Sequence, residues 1–508
     1  MKLKNKIHYF IVLLFYLIIC IFVGYYTGFN RHWTSVYDQE LTLVYNALLF
    51  NNGIEIELFQ HPGYFTILLL SIFYKILFIL NLLEVDKLSS LTSENFDNSL
   101  NLLTYYGRIF ASFNVALFCL VTYFVFNQFS KNKIFSFSLS LVLFFFPGTI
   151  FHITQLRTEL FAMFFALLSI ASLKHFLSMD NFYKYFNLIF FFVFLIFSLL
   201  NKVQLFFLIL LFLIPLYFTE NRINDFNIEK FLFIENKAFS IILLIIIFLF
   251  IYNSNNTLHP FPILSALIVL LNFIFFNLFF YFLIKNHVKK VFIFLMVMNA
   301  TFIFTFLIVK SILMIHPSTS EIIFVNLSRI MHIVQFVPDV PQINDNINLI
   351  RDLFIRLIEN LFLILTSLIL KPSVYSALIT LNIALLLILR SQITYQQIKF
   401  NICCILVSIF IIVINYFRST TGLMPQYEIF SDFFLILSFV SFSKIKKNKY
   451  LLLCIIFPIW LNSNAVLKTI SNIRYTKDQI ANICNDSFFY DWQKQINKSY
   501  FINFCDKE

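Results

Sequence analysis

Long apolar runs alternate with short polar breaks almost to the end of the chain. A first run covers about 8–28, and others follow at roughly 64–82, 105–126, 134–150, 159–178, 185–200, 203–218, 238–252 and 262–284. The second half continues with runs at roughly 291–315, 354–370, 374–389, 401–417, 428–443 and 449–465. They approach or exceed the ~20 residues that cross a hydrocarbon core. Lipid offers no partner for open backbone groups, so helices are the expected spanning form. The short alternating segments of a membrane barrel are missing. The pattern therefore predicts an all-α fold, a polytopic transmembrane helical bundle of about 11–14 spans with short extracytoplasmic loops and interfacial helices.

Residues 1–465 are expected to form this transmembrane domain, and 466–508 a polar C-terminal tail with Trp492 and several Tyr and Phe. Three lysines precede the first run, which is long enough to span and lacks a small-residue cleavage site. An uncleaved first helix with a cytoplasmic N-terminus follows, which places the loop 29–61 outside. Lys131 and Lys133, Lys285 to Lys290, and Lys444 to Lys449 all read as cytoplasmic. Strict alternation does not satisfy all three, so 64–82 is a candidate re-entrant element, with a compensating change inside 316–353. That interval is the longest polar-mixed stretch of the second half. It holds His316-Pro317, Arg329 and His332, and 321–336 suits an amphipathic interfacial helix.

Composition sharpens the class. Of 508 residues, 60% are hydrophobic and 12% charged, against about a quarter charged in a soluble domain. The net charge of +11 suits cytoplasmic Lys and Arg facing anionic lipid. No basic run is interleaved with aromatics on a polar face, so a nucleic-acid partner is not expected. The 72 Phe read as compositional bias. Cys20, Cys119, Cys403, Cys404 and Cys454 fall in or beside apolar runs and read as small hydrophobes. Cys484 and Cys505 lie in the polar tail, where they can pair if it faces an oxidising compartment. No CxxC or Cys/His zinc spacing occurs.

Carboxylates are scarce, 26 in the chain, yet Tyr37-Asp38-Gln39-Glu40 puts two of them two positions apart just past the first run. Glu55, Glu57 and His61-Pro62-Gly63-Tyr64 follow. A solvated loop accounts for the pair; so does a general base for a sugar acceptor. Further on, Tyr105-Tyr106-Gly107-Arg108 leads into a helix, and Pro147-Gly148 precedes His152, Gln155 and Arg157-Thr158-Glu159. Asn201-Lys202 interrupts an apolar region, and Arg418 to Glu428 separates two late runs. Ionisable groups inside membrane segments are functional by default, whereas Arg108, Lys202 and Arg418 at helix ends can snorkel. Arg157 and Glu159 can neutralise each other, and His61 can cap the turn before Pro62.

The order of these features resembles the polytopic C-type glycosyltransferases, the superfamily of protein O-mannosyltransferases and bacterial lipid A aminoarabinose transferases. In that family the first outside loop bears an acidic pair followed by a His-Pro-Pro-like turn, matched by Asp38 with Glu40 and by His61-Pro62-Gly63. A later helix opens with Arg, matched by Arg108. A Pro-containing loop then carries a basic-x-acidic element, matched by Pro147 and Arg157-Thr158-Glu159. A Thr-Lys-like break corresponds to Asn201-Lys202, and a late Arg/Tyr loop to Arg418 and Tyr427. The resemblance is carried mainly by residues 1–210 and is thin from 210 to 410. The chain departs from the pattern where Gln39 separates the acids, Gly63 replaces the second Pro, and Glu159 stands where Asp is commoner.

The resemblance implies transfer of a sugar from a polyprenyl-phosphate donor to a glycan, lipid or protein acceptor outside the cytoplasm. An attacking hydroxyl must lose its proton, which a carboxylate within reach accepts; Asp38 is the first choice and Glu40 the second. The departing lipid phosphate needs cationic donors. Arg108, Arg157, Lys202 and Arg418 are the candidates, with His61, Glu159 and Tyr427 completing the substrate site. No cofactor or metal ligand set is expected, although some relatives use a divalent ion. A bacterial inner membrane is the expected location. A lipid-linked-glycan flippase or transporter, and an O-antigen polymerase or ligase, are the alternatives. The first predicts charges near helix midpoints, and the second a large late outside loop such as 316–353.

Overall fold

The computed structural model describes residues 3–36, 40–54, 56–57, 63–178, 184–202, 211, 213–216, 374–418, 425–443, 445, 484 and 495–507, with isolated helical positions between 274 and 362. Among them all regular structure is helical and no strand occurs. In chain order the helices are α1 (Leu3–Thr27), α2 (Thr42–Asn51), α3 (Tyr64–Ile79), α4 (Phe96–Ser130), α5 (Lys133–Phe144), α6 (Pro147–Thr154), α7 (Thr158–Ser178) and α8 (Lys184–Asn201). Then come α9 (Val374–Ile388), α10 (Tyr395–Arg418), α11 (Pro425–Ser438) and α12 (Lys498–Lys507).

Four stretches in these helices are long and apolar enough to cross a membrane: Ile7–Tyr26, Phe96–Ser130, Thr158–Ser178 and Tyr395–Ile412. The expected runs at 8–28, 105–126, 159–178 and 401–417 fall on them. The run 134–150 is instead two helices, α5 and α6, meeting at 65°. Pro147 explains the break. It has no amide hydrogen to continue the ladder, but it suits the first turn of a new helix. Most of 203–218, the interval 316–353, and the runs at 238–252, 262–284, 291–315, 354–370 and 449–465 lie outside the described residues, isolated positions apart.

The sidedness of α1 follows membrane logic. Val12, Tyr16 and Cys20, four residues apart, form its buried stripe along α4 and α5, and the Tyr16 hydroxyl is hydrogen-bonded to Ser140 Oγ. The opposite face exposes Phe10, Ile11, Leu14, Ile18 and Phe22. An aqueous helix would put charges there; lipid accepts this face as it stands. Polar groups turn inward instead. Ser112, Asn114 and Thr122 of α4 are buried, and the last two return hydrogen bonds to carbonyls four residues back.

Two apolar cores result. One joins α1, the later part of α4 and α5–α11 through Val115, Phe126, Leu143, Leu167 and Phe433. The other lies under the first loop and joins Trp33, Leu41, Val44, Leu70, Leu100 and Phe110 to Phe501 and Phe504 of α12. Residues 40–51 are therefore a packed element, with Leu43 to Leu49 buried in α2, rather than a solvated loop.

Candidate active site

Five of the side chains marked in the sequence lie at the seam of the two cores, around the connector Gln155-Leu156-Arg157. α4 supplies Arg108, fully buried, which reaches across to Glu40, 1% exposed. The guanidinium donates from Nη2 to Glu40 Oε2 at 2.7 Å and from Nε to Oε2 and Oε1 at 3.1 and 3.3 Å. Its remaining hydrogens go to the carbonyls of Phe29 (3.1 Å), Arg31 and His32 (3.4 Å) and to Ser35 Oγ (3.4 Å). Glu40 Oε1 also accepts the amide hydrogen of Leu156 at 3.1 Å. One ion pair thus ties together the start of the first loop, the entry to α2 and the connector. Only a planar fork of five donors can serve so many acceptors at once.

Arg31 approaches the same connector. It donates to the carbonyls of Thr154 and, at 3.2 Å, of Gly28. Burial lowers its pKa, Glu40 raises it and Arg108 lowers it again.

The second half of the site comes from the α7–α8 pair, which packs antiparallel so that the start of α7 meets the end of α8. Glu159 sits in the first turn of α7 and Lys202 just past the end of α8, each at the helix terminus that suits its charge. Lys202 Nζ donates to Glu159 Oε1 at 2.8 Å, and Arg157 Nε lies 3.6 Å from Oε2. The Arg157 guanidinium also covers the Phe151 ring, 5.5 Å from its centre. All three side chains are buried.

The turn after His61-Pro62 is stitched to the same place. Asn201 Oδ1 accepts from the Thr66 amide (2.9 Å) and hydroxyl (2.7 Å), capping α3 from across the bundle. A Cβ on Gly63 would stand 2.4 Å from Thr158 Cγ2, so this position requires glycine for close approach. Glu57 accepts a hydrogen bond from Tyr45 at 2.9 Å.

Asp38 and His61 lie outside the described residues. Arg418 closes α10 and Tyr427 stands in the first turn of α11, but their side chains are not among those described. Glu40, Arg108, Arg157, Glu159 and Lys202 are brought together. Reading the sequence missed Arg31, whose signal was a cation just past the first run, on the side that carries fewer of them. It marked Glu428 only as the end of the stretch after Arg418 and missed its pairing with Asp432, four residues on in a late run. Both are buried on α11 and take hydrogen bonds from Tyr375 of α9 at 3.1 and 2.5 Å. A Cβ on Gly148 of α6 would stand 2.8 Å from Asp432 Oδ2 and 2.7 Å from the Ile429 nitrogen. Among the described residues no three His, Cys, Asp or Glu side chains converge as metal ligands do.

Fold and site together define a helical protein with membrane-length helices and a buried, cation-rich cluster where two apolar cores meet. No protein-family model, curated protein or solved structure matches the chain.

Proposed function

We propose that the chain is a polytopic membrane glycosyltransferase that moves a sugar from a polyprenyl-phosphate donor to an extracytoplasmic glycan, lipid or protein. The observation that carries this reading is convergence. Residues from five separated parts of the sequence meet around 154–158: Arg31 with Glu40, Gly63, Arg108, Arg157 with Glu159, and Asn201 with Lys202. A snorkelling explanation predicts solvated side chains, whereas Arg108, Arg157 and Lys202 are buried. Among the described residues four basic side chains face two carboxylates in this cluster, a surplus suited to a lipid phosphate and its developing negative charge.

Roles divide between the acids. Glu40 has both oxygens engaged by Arg108 and Leu156, so its work is to position the loop. Asp38, tethered two residues away, is the general base. The pairing of Cys484 with Cys505, in a segment packed on the first loop, supports an extracytoplasmic site, since disulfides persist in oxidising compartments. The experiment is transfer from radiolabelled polyprenyl-phosphate sugars in membranes carrying the wild-type chain or Asp38→Asn. Transfer that falls by about 10²–10⁴-fold in an equally abundant variant supports the base. No transfer from any donor by the wild type sinks the reading.

The buried Glu428–Asp432 pair favours a second reading, a proton- or cation-coupled carrier of lipid-linked glycan. Its mark is lipid-linked glycan accumulating on the cytoplasmic side when the protein is removed.

A further inference from the structure

We propose that the disulfide-closed C-terminal helix is a positioning clasp for the first loop, so that reducing Cys484–Cys505 frees the loop while the helical bundle stays folded. This rests on the reading above that the first loop carries the acceptor base.

α12 has ten residues, too few for a helix stable by itself in water. What holds it is packing on one side and the bond from Cys505 back to Cys484, 21 positions earlier. Phe501 and Phe504, three apart and on one face, are buried, as is Ile496 just before the helix. The Phe504 ring meets Trp33 at 5.3 Å and stacks on His32 at 6.2 Å; Tyr500 meets Phe96 at 6.3 Å. On the far side of Asp38 in sequence, the Gln495 amide donates to the Tyr45 hydroxyl at 3.2 Å, and that hydroxyl donates to Glu57. The clasp therefore grips both flanks of residues 37–39, at 32–33 and at 45. Ordering these two flanks costs conformational entropy, which the aromatic contacts and the cross-link offset. Trp33 is fully buried by these contacts, and its indole also donates to Asp97 at 2.7 Å, which ties the gripped loop to the start of α4.

Neither half of this bond belongs to the core that joins α1 to α5–α11. Cys20, Cys119, Cys403 and Cys404 are free thiols buried in the other core. Reduction by dithiothreitol breaks one S–S bond. The reagent's two thiols supply two electrons and two protons, leaving two protein thiols and the cyclic disulfide of the reagent. Without the cross-link α12 regains the entropy that the bond removed, and its few apolar side chains must hold it unaided.

The test uses the full chain carrying Trp460→Phe, Trp492→Phe and Cys454→Ser, so that Trp33 is the only indole. Trp33 emission and acrylamide quenching, maleimide labelling and sugar transfer are read before and after dithiothreitol. After reduction Cys484 and Cys505 label while the four bundle thiols stay protected. Trp33 emission moves to longer wavelength, quenching rises, and transfer falls by tenfold to about a hundredfold, the range expected when a reacting group is misplaced by about 1 Å. Phe504→Ala with the disulfide intact moves Trp33 and transfer in the same direction. An unchanged Trp33 signal overturns the clasp, as does unchanged transfer with Trp33 released, or labelling of the bundle thiols on reduction. If the oxidised chain transfers no sugar from any donor, the glycosyltransferase reading fails, and the Trp33 signal alone decides whether the clasp holds the loop.

Discussion

Removing Arg108 tests the seam most directly, because its partners are so completely enclosed. Arg108→Ala strands the Glu40 carboxylate, 1% exposed, with one amide hydrogen, from Leu156, as its remaining hydrogen-bond donor among the described residues. Breaking a buried pair from one side costs about 3–5 kcal/mol, and the upper part of that range is expected here. Glu40→Ala leaves a buried guanidinium, but the carbonyls of Phe29, Arg31 and His32 still accept from it. The lower end, about 3 kcal/mol, is expected. The double variant buries neither charge, so its cost falls short of the two single costs together by about 2–3 kcal/mol, the range of strongly coupled contacts. Arg108→Lys keeps the charge but cannot serve the same acceptors from one ammonium, and it falls between wild type and alanine. Unfolding by sodium dodecyl sulfate in mixed micelles, followed by the reactivity of the buried thiols of Cys119 and Cys404, measures all four proteins. Costs that add within about 0.5 kcal/mol refute the coupling, and with it the idea that this pair ties loop, helix and connector together.

Other consequences are smaller. Gly63→Ala drives a methyl into Thr158 Cγ2 and is expected to cost about 1–3 kcal/mol; adding Thr158→Ser removes that methyl and restores most of the loss in the same unfolding assay. Asn201→Ala takes away the acceptor that caps α3 and lowers stability by about 0.5–2 kcal/mol, whereas Asn201→Asp keeps an acceptor oxygen and loses less.

Among the described residues the apolar runs carried most of the helical plan, because a span is written in length and composition alone. α7, α8 and α10 fall where the runs place them. The break between α5 and α6 was written in Pro147, but its consequence for the run 134–150 depends on α11 lying against Gly148. The first loop was harder to read. TLVYNALLFN is only ten residues long, and what makes it a buried helix is α3 on one side and α12, some 450 positions later, on the other. For the site, residue types and order marked Glu40, Arg108, Arg157, Glu159 and Lys202. Spacing carried nothing of how they pair. In a chain of apolar runs the acid nearest Arg157 in sequence, Glu159, is shared with Lys202 by the antiparallel return of α8, and Glu40 goes to Arg108 instead.

Charge balance at the seam makes one further demand. Half-buried Arg31 and the buried Arg108, Arg157 and Lys202 stand against Glu40 and Glu159, so among the described residues the cluster carries more positive than negative charge in a place largely shielded from water. Buried cations need an anion, and a lipid phosphate supplies one with oxygen acceptors for two or more donors. Polyprenyl phosphate is therefore expected to stabilise the folded chain more than the uncharged polyprenol of equal length, which offers the same apolar tail. A ligand at about a hundred times its dissociation constant adds about 2.7 kcal/mol, which thermal unfolding in detergent resolves. The phosphate-dependent part should vanish in Arg157→Gln, whose side chain lies over Phe151 and not in the Glu40–Arg108 tie. Equal stabilisation by the phosphate and the alcohol would mean that the surplus is met by carboxylates of the chain itself. Asp38 would then be held as a counter-ion rather than poised as a base, and Asp38→Asn would cost stability instead of rate.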